Sequence, residues 1–306
     1  MKRKVIQLAG KTHVVSLPNK WVKSFNVKKG DELEVEEISN TLLVKPVKDK
    51  NEVKKISLDI GNFNERTLRY AASALHKLGY DEITLVYTKN KLNDTIQDLI
   101  KNLLLGFIII EQTSKKTVLK NISNEVESEF NSTLRRAFLV TNSLAESSLE
   151  MIKNQEFSNL NSLINLEMSN NQLTSFCLRL INKGFYKEPE KQMFITTIIW
   201  NLEKIADEYK TICVNLGKNK ENISNEVLNL YKDINLFFNS YYELMYKFSI
   251  EKVNEVVEKK YEIVNKLDAI EAKNKTELKL LNTLSTIVSK TSDLSSSIFA
   301  LNHLEI

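Results

Sequence analysis

Eight lysine and arginine side chains fall within the first thirty residues, and no aspartate or glutamate falls among them. They are Lys2, Arg3, Lys4, Lys11, Lys20, Lys23, Lys28 and Lys29. The chain holds 43 basic and 39 acidic residues, so residues 31–306 keep 35 of the first against all 39 of the second, a net of −4. Positive charge gathered at one end attracts polyanions, above all the phosphates of DNA, by releasing their condensed counterions. Seven of the eight are lysines, and lysine offers a point charge where arginine offers the two-pronged fork that reads guanine. Phosphate contact is therefore the chemistry expected of this cluster. The candidate DNA contacts are Lys2, Arg3, Lys4, Lys11, Thr12, His13, Lys20 and Lys23. Arg3 is the one strong candidate for a base edge, with Thr12 and His13 as hydrogen-bonding neighbours. The competing reading is a dimerisation module whose charge serves solubility alone.

Catalytic chemistry finds little footing. His13, His76 and His303 are far apart, no serine or cysteine has the context of a nucleophile, and no glycine-rich phosphate loop occurs. The chain is expected not to be an enzyme. Cys177 and Cys213 lie in apolar helical surroundings without CxxC spacing, which reads as a reduced, buried pair in a cytoplasmic protein. The Lys2-Arg3-Lys4 start leads into alternating residues and lacks the apolar stretch of a signal peptide. The most apolar run, Leu103 to Ile110, is far too short to cross a bilayer, so no membrane insertion is expected.

With only seven glycines and three prolines, turns are rare and helices should be long. Residues 1–47 read as a DNA-binding and dimerisation head of short strands around one short helix. Val5–Leu8 and His13–Leu17 flank the turn Ala9-Gly10-Lys11, and a helix from Pro18 to Phe25 carries Trp21, Val22 and Phe25 on its apolar face. Leu33 and Val35 alternate with glutamates, and Ser39-Asn40 signals a hairpin before Leu42-Leu43-Val44. So short a segment makes a poor core alone, which predicts pairing with a second copy as a homodimer. After a lysine-rich linker, residues 53–122 predict a small α+β layer in the order βαβαββ. Residues 123–218 and 219–306 each read as three long helices, which predicts two antiparallel three-helix bundles in tandem. The aromatic run Phe237, Phe238, Tyr241, Tyr242, Tyr246 and Phe248 is wider than one helix stripe needs. Most of it is expected in the core.

The segment Lys4-Val5-Ile6-Gln7-Leu8, Gly10 to Val22 and then Lys29-Gly30-Asp31-Glu32-Leu33 resembles the AbrB/MazE/SpoVT family. The resemblance covers nearly all of residues 1–47. It implies a swapped-hairpin dimer that binds DNA with basic residues near the first strand, the first loop and the helix. An antitoxin role is a third possibility, against which stands the lack of a disordered, toxin-wrapping tail.

The helical part resembles PhoU, the phosphate-uptake regulator family. Its clearest piece is Leu202-Glu203-Lys204-Ile205-Ala206-Asp207, similar to that family's E-x-x-x-D helix motif. The combined layout looks like the phosphate-uptake regulators common in archaea. It implies transcriptional control of phosphate homeostasis, with the ATPase subunit of a phosphate transporter as a further partner. The alternative is an adaptor that never binds DNA and inhibits the transporter by protein contact. The same resemblance implies iron or zinc held by Glu203, Asp207, Glu258, Glu262 and Asp293. The match is degenerate at this point. Asn170, Asn171 and Gln172 stand where acidic residues are expected, and Ser289 replaces a carboxylate in the second bundle. Amides are poor ligands for transition metals.

Overall fold

The computed structural model describes residues 1–38, 40–46, 53–88, 92–123, 125, 128–218 and 221–302. The predicted hairpin turn at Ser39, most of the linker, the start of a helix at Lys91, and His303 lie outside the described residues. The chain forms two compact units, Met1–Val53 and Lys54–Ile306.

The first unit is built from two antiparallel hairpins and a short helix. Strands β1 (Val5–Leu8) and β2 (Thr12–Val15) pair with Val5 opposite Val15 and Leu8 opposite Thr12. Ala9 and Gly10 both have positive φ, at 48° and 74°, and Lys11 N–H donates back to Leu8 O. Two left-handed residues in succession match the right-handed twist of the strands they join. Helix α1 (Asn19–Ser24) starts after Pro18, and its Trp21 ring lies 5.3 Å from that of Phe25. Strands β3 (Leu33–Ile38) and β4 (Thr41–Pro46) form a separate two-stranded sheet.

In the second unit a four-stranded sheet comes first. Its elements are β5 (Lys55–Asp59), α2 (Glu65–Lys77), β6 (Glu82–Val86), α3 (Asn93–Asn102), β7 (Phe107–Gln112) and β8 (Lys116–Asn121). The strand order is β5-β6-β8-β7, with β5 and β6 parallel and the other pairs antiparallel. Parallel neighbours need a crossover, and α2 supplies it. Ile83, Leu85, Leu119 and Phe107 meet Leu68 and Ala72 of α2 and Ile96 and Leu99 of α3 in one apolar layer.

The rest of the unit is helical: α4 (Ser128–Lys153), α5 (Ile164–Asn182), α6 (Gln192–Lys218), α7 (Asn225–Tyr246), α8 (Ile250–Ala269), α9 (Lys275–Ser292) and α10 (Leu294–Asn302). A single hydrophobic core runs through them from Phe130 to Ile298. Helices α4, α5 and α6 pack together and α7 packs on α8 and α9, while α6 also touches α9 and α4 also touches α7. The aromatic run on α7 lies largely within this core: Phe237, Phe238 and Tyr241 are buried. The second of the three long helices expected in residues 123–218 opens as a 3-10 turn, Phe157–Leu163. Its buried Phe157, Leu160 and Leu163 are three apart, the spacing that aligns side chains in a 3-10 helix. The last expected helix breaks at Asp293 inside a serine-rich run, where Ser292 Oγ donates to Val288 O. Serine hydroxyls that bond to nearby backbone weaken helix continuity. No helix among the described residues is long and apolar enough to cross a membrane.

Candidate nucleic-acid interface

Strand β1 and the residues before it carry Lys2, Arg3 and Lys4, the hairpin turn carries Lys11, and α1 carries Lys20 and Lys23. Thr12 and His13 open β2, where His13 sits opposite Gln7. Lys28 and Lys29 enter the turn closed by Gly30, whose φ is 94°. In that turn the Lys28 backbone N–H donates to Asp31 Oδ2 at 2.7 Å, so Asp31 is spent on the backbone. All eight cationic side chains are exposed, as are Thr12 and His13. Among the described residues none of the eight pairs with a carboxylate. Their charge is therefore directed at solvent or at a polyanion, and not at the fold.

Among its described side chains the same unit shows no interior. No residue from 1 to 46 whose side chain is described is buried, and α1 has no buried side chain. Val5 is 67% exposed, Leu42 68% and Val35 60%, and Ile6, Leu8, Val15 and Phe25 are exposed too. That much exposed apolar surface is unusual for so short a segment.

The carboxylates set out as metal ligands are arranged otherwise. Glu203 lies 3.2 Å and Asp207 3.0 Å from the Lys204 ammonium, and Glu203 also lies 3.8 Å from Lys77. Burial pulls the Lys204 ammonium down, yet Asp207 and Glu203 outweigh it and hold its pKa above the ordinary value. Glu258 and Glu262 sit exposed on α8, and Asp293 is exposed at the α9–α10 break. Among the described residues no three of His, Cys, Asp and Glu converge on a point. The Lys204 ammonium stands between the Glu203 and Asp207 carboxylates and neutralises part of their charge. The amides at 170–172 serve the packing: Asn170 Nδ2 donates to Thr141 Oγ1 at 2.7 Å and Gln172 Nε2 to Lys101 O at 2.9 Å.

A charged cluster that sequence reasoning missed joins sheet and helices inside the second unit. Arg179 on α5 is fully buried. Its guanidinium donates to Asp81 Oδ1 and Glu125 Oε1 at 2.5 Å each, to Tyr80 O at 2.6 Å and to His76 O at 3.2 Å. Lys183 Nζ reaches the same two carboxylates at 2.6 Å. Burial raises the Asp81 carboxyl, but hydrogen bonds from Lys183 and the Lys54 N–H and the nearby guanidinium bring it below its usual range. His76 is driven down to about 3, first by burial and then by Arg179, so its ring is neutral. The one available signal was a lone arginine in the apolar run Phe176-Cys177-Leu178-Arg179-Leu180-Ile181.

A family model described as antidote-toxin recognition MazE, bacterial antitoxin, matches residues 6–52. No curated protein matches the chain, and no solved structure does. The first unit is thus similar to a MazE-type antitoxin domain, and it is followed by a large α-helical part with a small sheet at its start.

Proposed function

We propose that this protein is a dimeric DNA-binding regulator whose head grips the phosphate backbone while the helical body senses a signal or docks a partner. The observation that carries the reading is the head's eight exposed cations, none matched by a carboxylate among the described residues. The MazE-type match over residues 6–52 supports it, because a swapped-hairpin dimer would cover the apolar side chains left open on β1, β2, β3 and β4. Two heads held together bring two basic patches onto one duplex and raise the effective concentration of the second contact. The regulated process we infer is phosphate uptake. That part rests on the likeness of Leu202–Asp207 to the PhoU helix motif, and it does not require a metal.

The test maps genomic binding sites in cells grown at high and low phosphate, alongside binding of the purified chain to the recovered fragments. Enrichment near phosphate-uptake genes that shifts with phosphate supports the reading; random occupancy overturns its regulatory part. An absence of DNA binding, combined with retention of the transporter ATPase on the immobilised chain, would replace it with the adaptor reading.

A further inference from the structure

We propose that the turn from Gly79 to Asp81 is a coupling joint, at which one carboxylate ties helix α5 to the point where the chain leaving the head enters the body. The joint lies wholly within the second unit, which begins at Lys54. Asp81 Oδ2 accepts from the Lys54 backbone N–H at 3.0 Å, and the Asp81 N–H donates back to Lys54 O at 2.7 Å. Lys54 Nζ donates to Leu78 O at 2.9 Å and lies 4.3 Å from the centre of the Tyr80 ring. Four contacts thus fix Lys54 to residues 78–81.

The other oxygen of Asp81 faces the bundle. Oδ1 accepts from Arg179 at 2.5 Å and from Lys183 at 2.6 Å. Helix α5 also holds the backbone around the turn, with Arg179 on His76 O and Tyr80 O and Asn182 Nδ2 on Lys77 O at 2.7 Å. Gly79 permits the close approach: its φ is 80°, and a Cβ there would meet Lys183 Cγ at 2.7 Å. A displacement of α5 therefore moves both carboxylate oxygens, and with them the first residue of the second unit. Buried charged networks of this kind have few intermediate arrangements, because a half-satisfied state leaves charge unpaired. The functional half of this inference rests on the reading of the head as a DNA-binding element.

The experiment measures hydrogen exchange on the full chain, with Lys183→Met as the main variant and Asp81→Asn beside it. Lys183 does not touch Lys54 in any bond described above, so loosening can reach Lys54 from this substitution through Asp81. The expected result is exchange at the Lys54 amide faster by about tenfold, the scale of one weakened charge-assisted hydrogen bond, with Leu85 and Leu119 unchanged. No change at Lys54 in Lys183→Met, or a uniform rise across the body, would overturn the joint. A second arm compares the affinity of wild type and Asp81→Asn for a random-sequence duplex at fixed salt. A several-fold change supports coupling to the head, and identical affinities overturn it. Should the wild type bind no DNA, the head reading falls, and the exchange arm alone decides the joint.

Discussion

Glu167 is the side chain whose environment most constrains its chemistry. It is 1% exposed, and its Oε1 accepts from Asn171 at 2.5 Å and from Lys210 at 3.0 Å, while Oε2 is buried without a hydrogen-bond partner. Burial raises its pKa above the ordinary 4.5, Lys210 opposes that rise, and Asp207 adds to it. A carboxyl with a raised folded pKa binds its proton more tightly when folded than when unfolded. Its contribution to stability is present below 4.5 and is lost as pH climbs through the folded value. Glu167→Gln should therefore be at least as stable as wild type at pH 7, and its stability should fall less from pH 4 upward. Urea melts across that range check this, and a steeper fall in the variant would refute it. Arg179 behaves differently, since Asp81 and Glu125 depend on it. Arg179→Met should cost the body about 3–5 kcal/mol by leaving buried carboxylates short of a partner. Neutralising those partners in the same chain, with Asp81→Asn and Glu125→Gln, should recover part of the loss. Equal melts for the single and triple variants would show that charge is not the cause.

At the scale of elements, α2 shows what local sequence can specify. Asn64 Oδ1 accepts from the Thr67 N–H at 2.9 Å and starts the helix; Gly79 at φ 80° stops it. Removing the cap with Asn64→Ala should cost about 1 kcal/mol. Gly79→Ala should cost more, about 1–2 kcal/mol for the left-handed backbone alone, and Lys183 would have to shift as well. Thermal melts that rank the two the other way would show the turn to be slack. Both signals were legible because cap and stop lie within a few residues of the helix they govern. The 3-10 turn at Phe157–Leu163 was not, since apolar residues three apart also suit an α-helix. Nor were the partners of Arg179 legible, because Glu125 and His76 lie 54 and 103 positions away. The carboxylates expected to hold metal show the same limit. Their i, i+4 spacing was visible, but the lysine standing between Glu203 and Asp207 gains its meaning only from the folded distances.

For the molecule as a whole, the exposed cations of the first unit were legible as a charge asymmetry, whereas the single core running from α4 to α10 was not. A sequence repeat suggests two bundles without saying whether they share an interior. Head binding to DNA should weaken steeply with salt, and replacing Lys11 and Lys23 with alanine should lower the slope of log K against log salt by about 2. Affinity should drop alike for all sequences; an unchanged slope would remove both lysines from the interface. The head's exposed apolar side chains have a further consequence. In the proposed dimer those apolar side chains are covered by the second copy, so the head should fold under mass action and dilution should unfold it before the body. Heating should then give two transitions, the lower one rising with protein concentration and the upper one fixed. In a cell, such a head would act as a gauge of its own abundance: scarce chains would carry a folded body but no grip, and occupancy of DNA would climb more steeply than the amount of protein made.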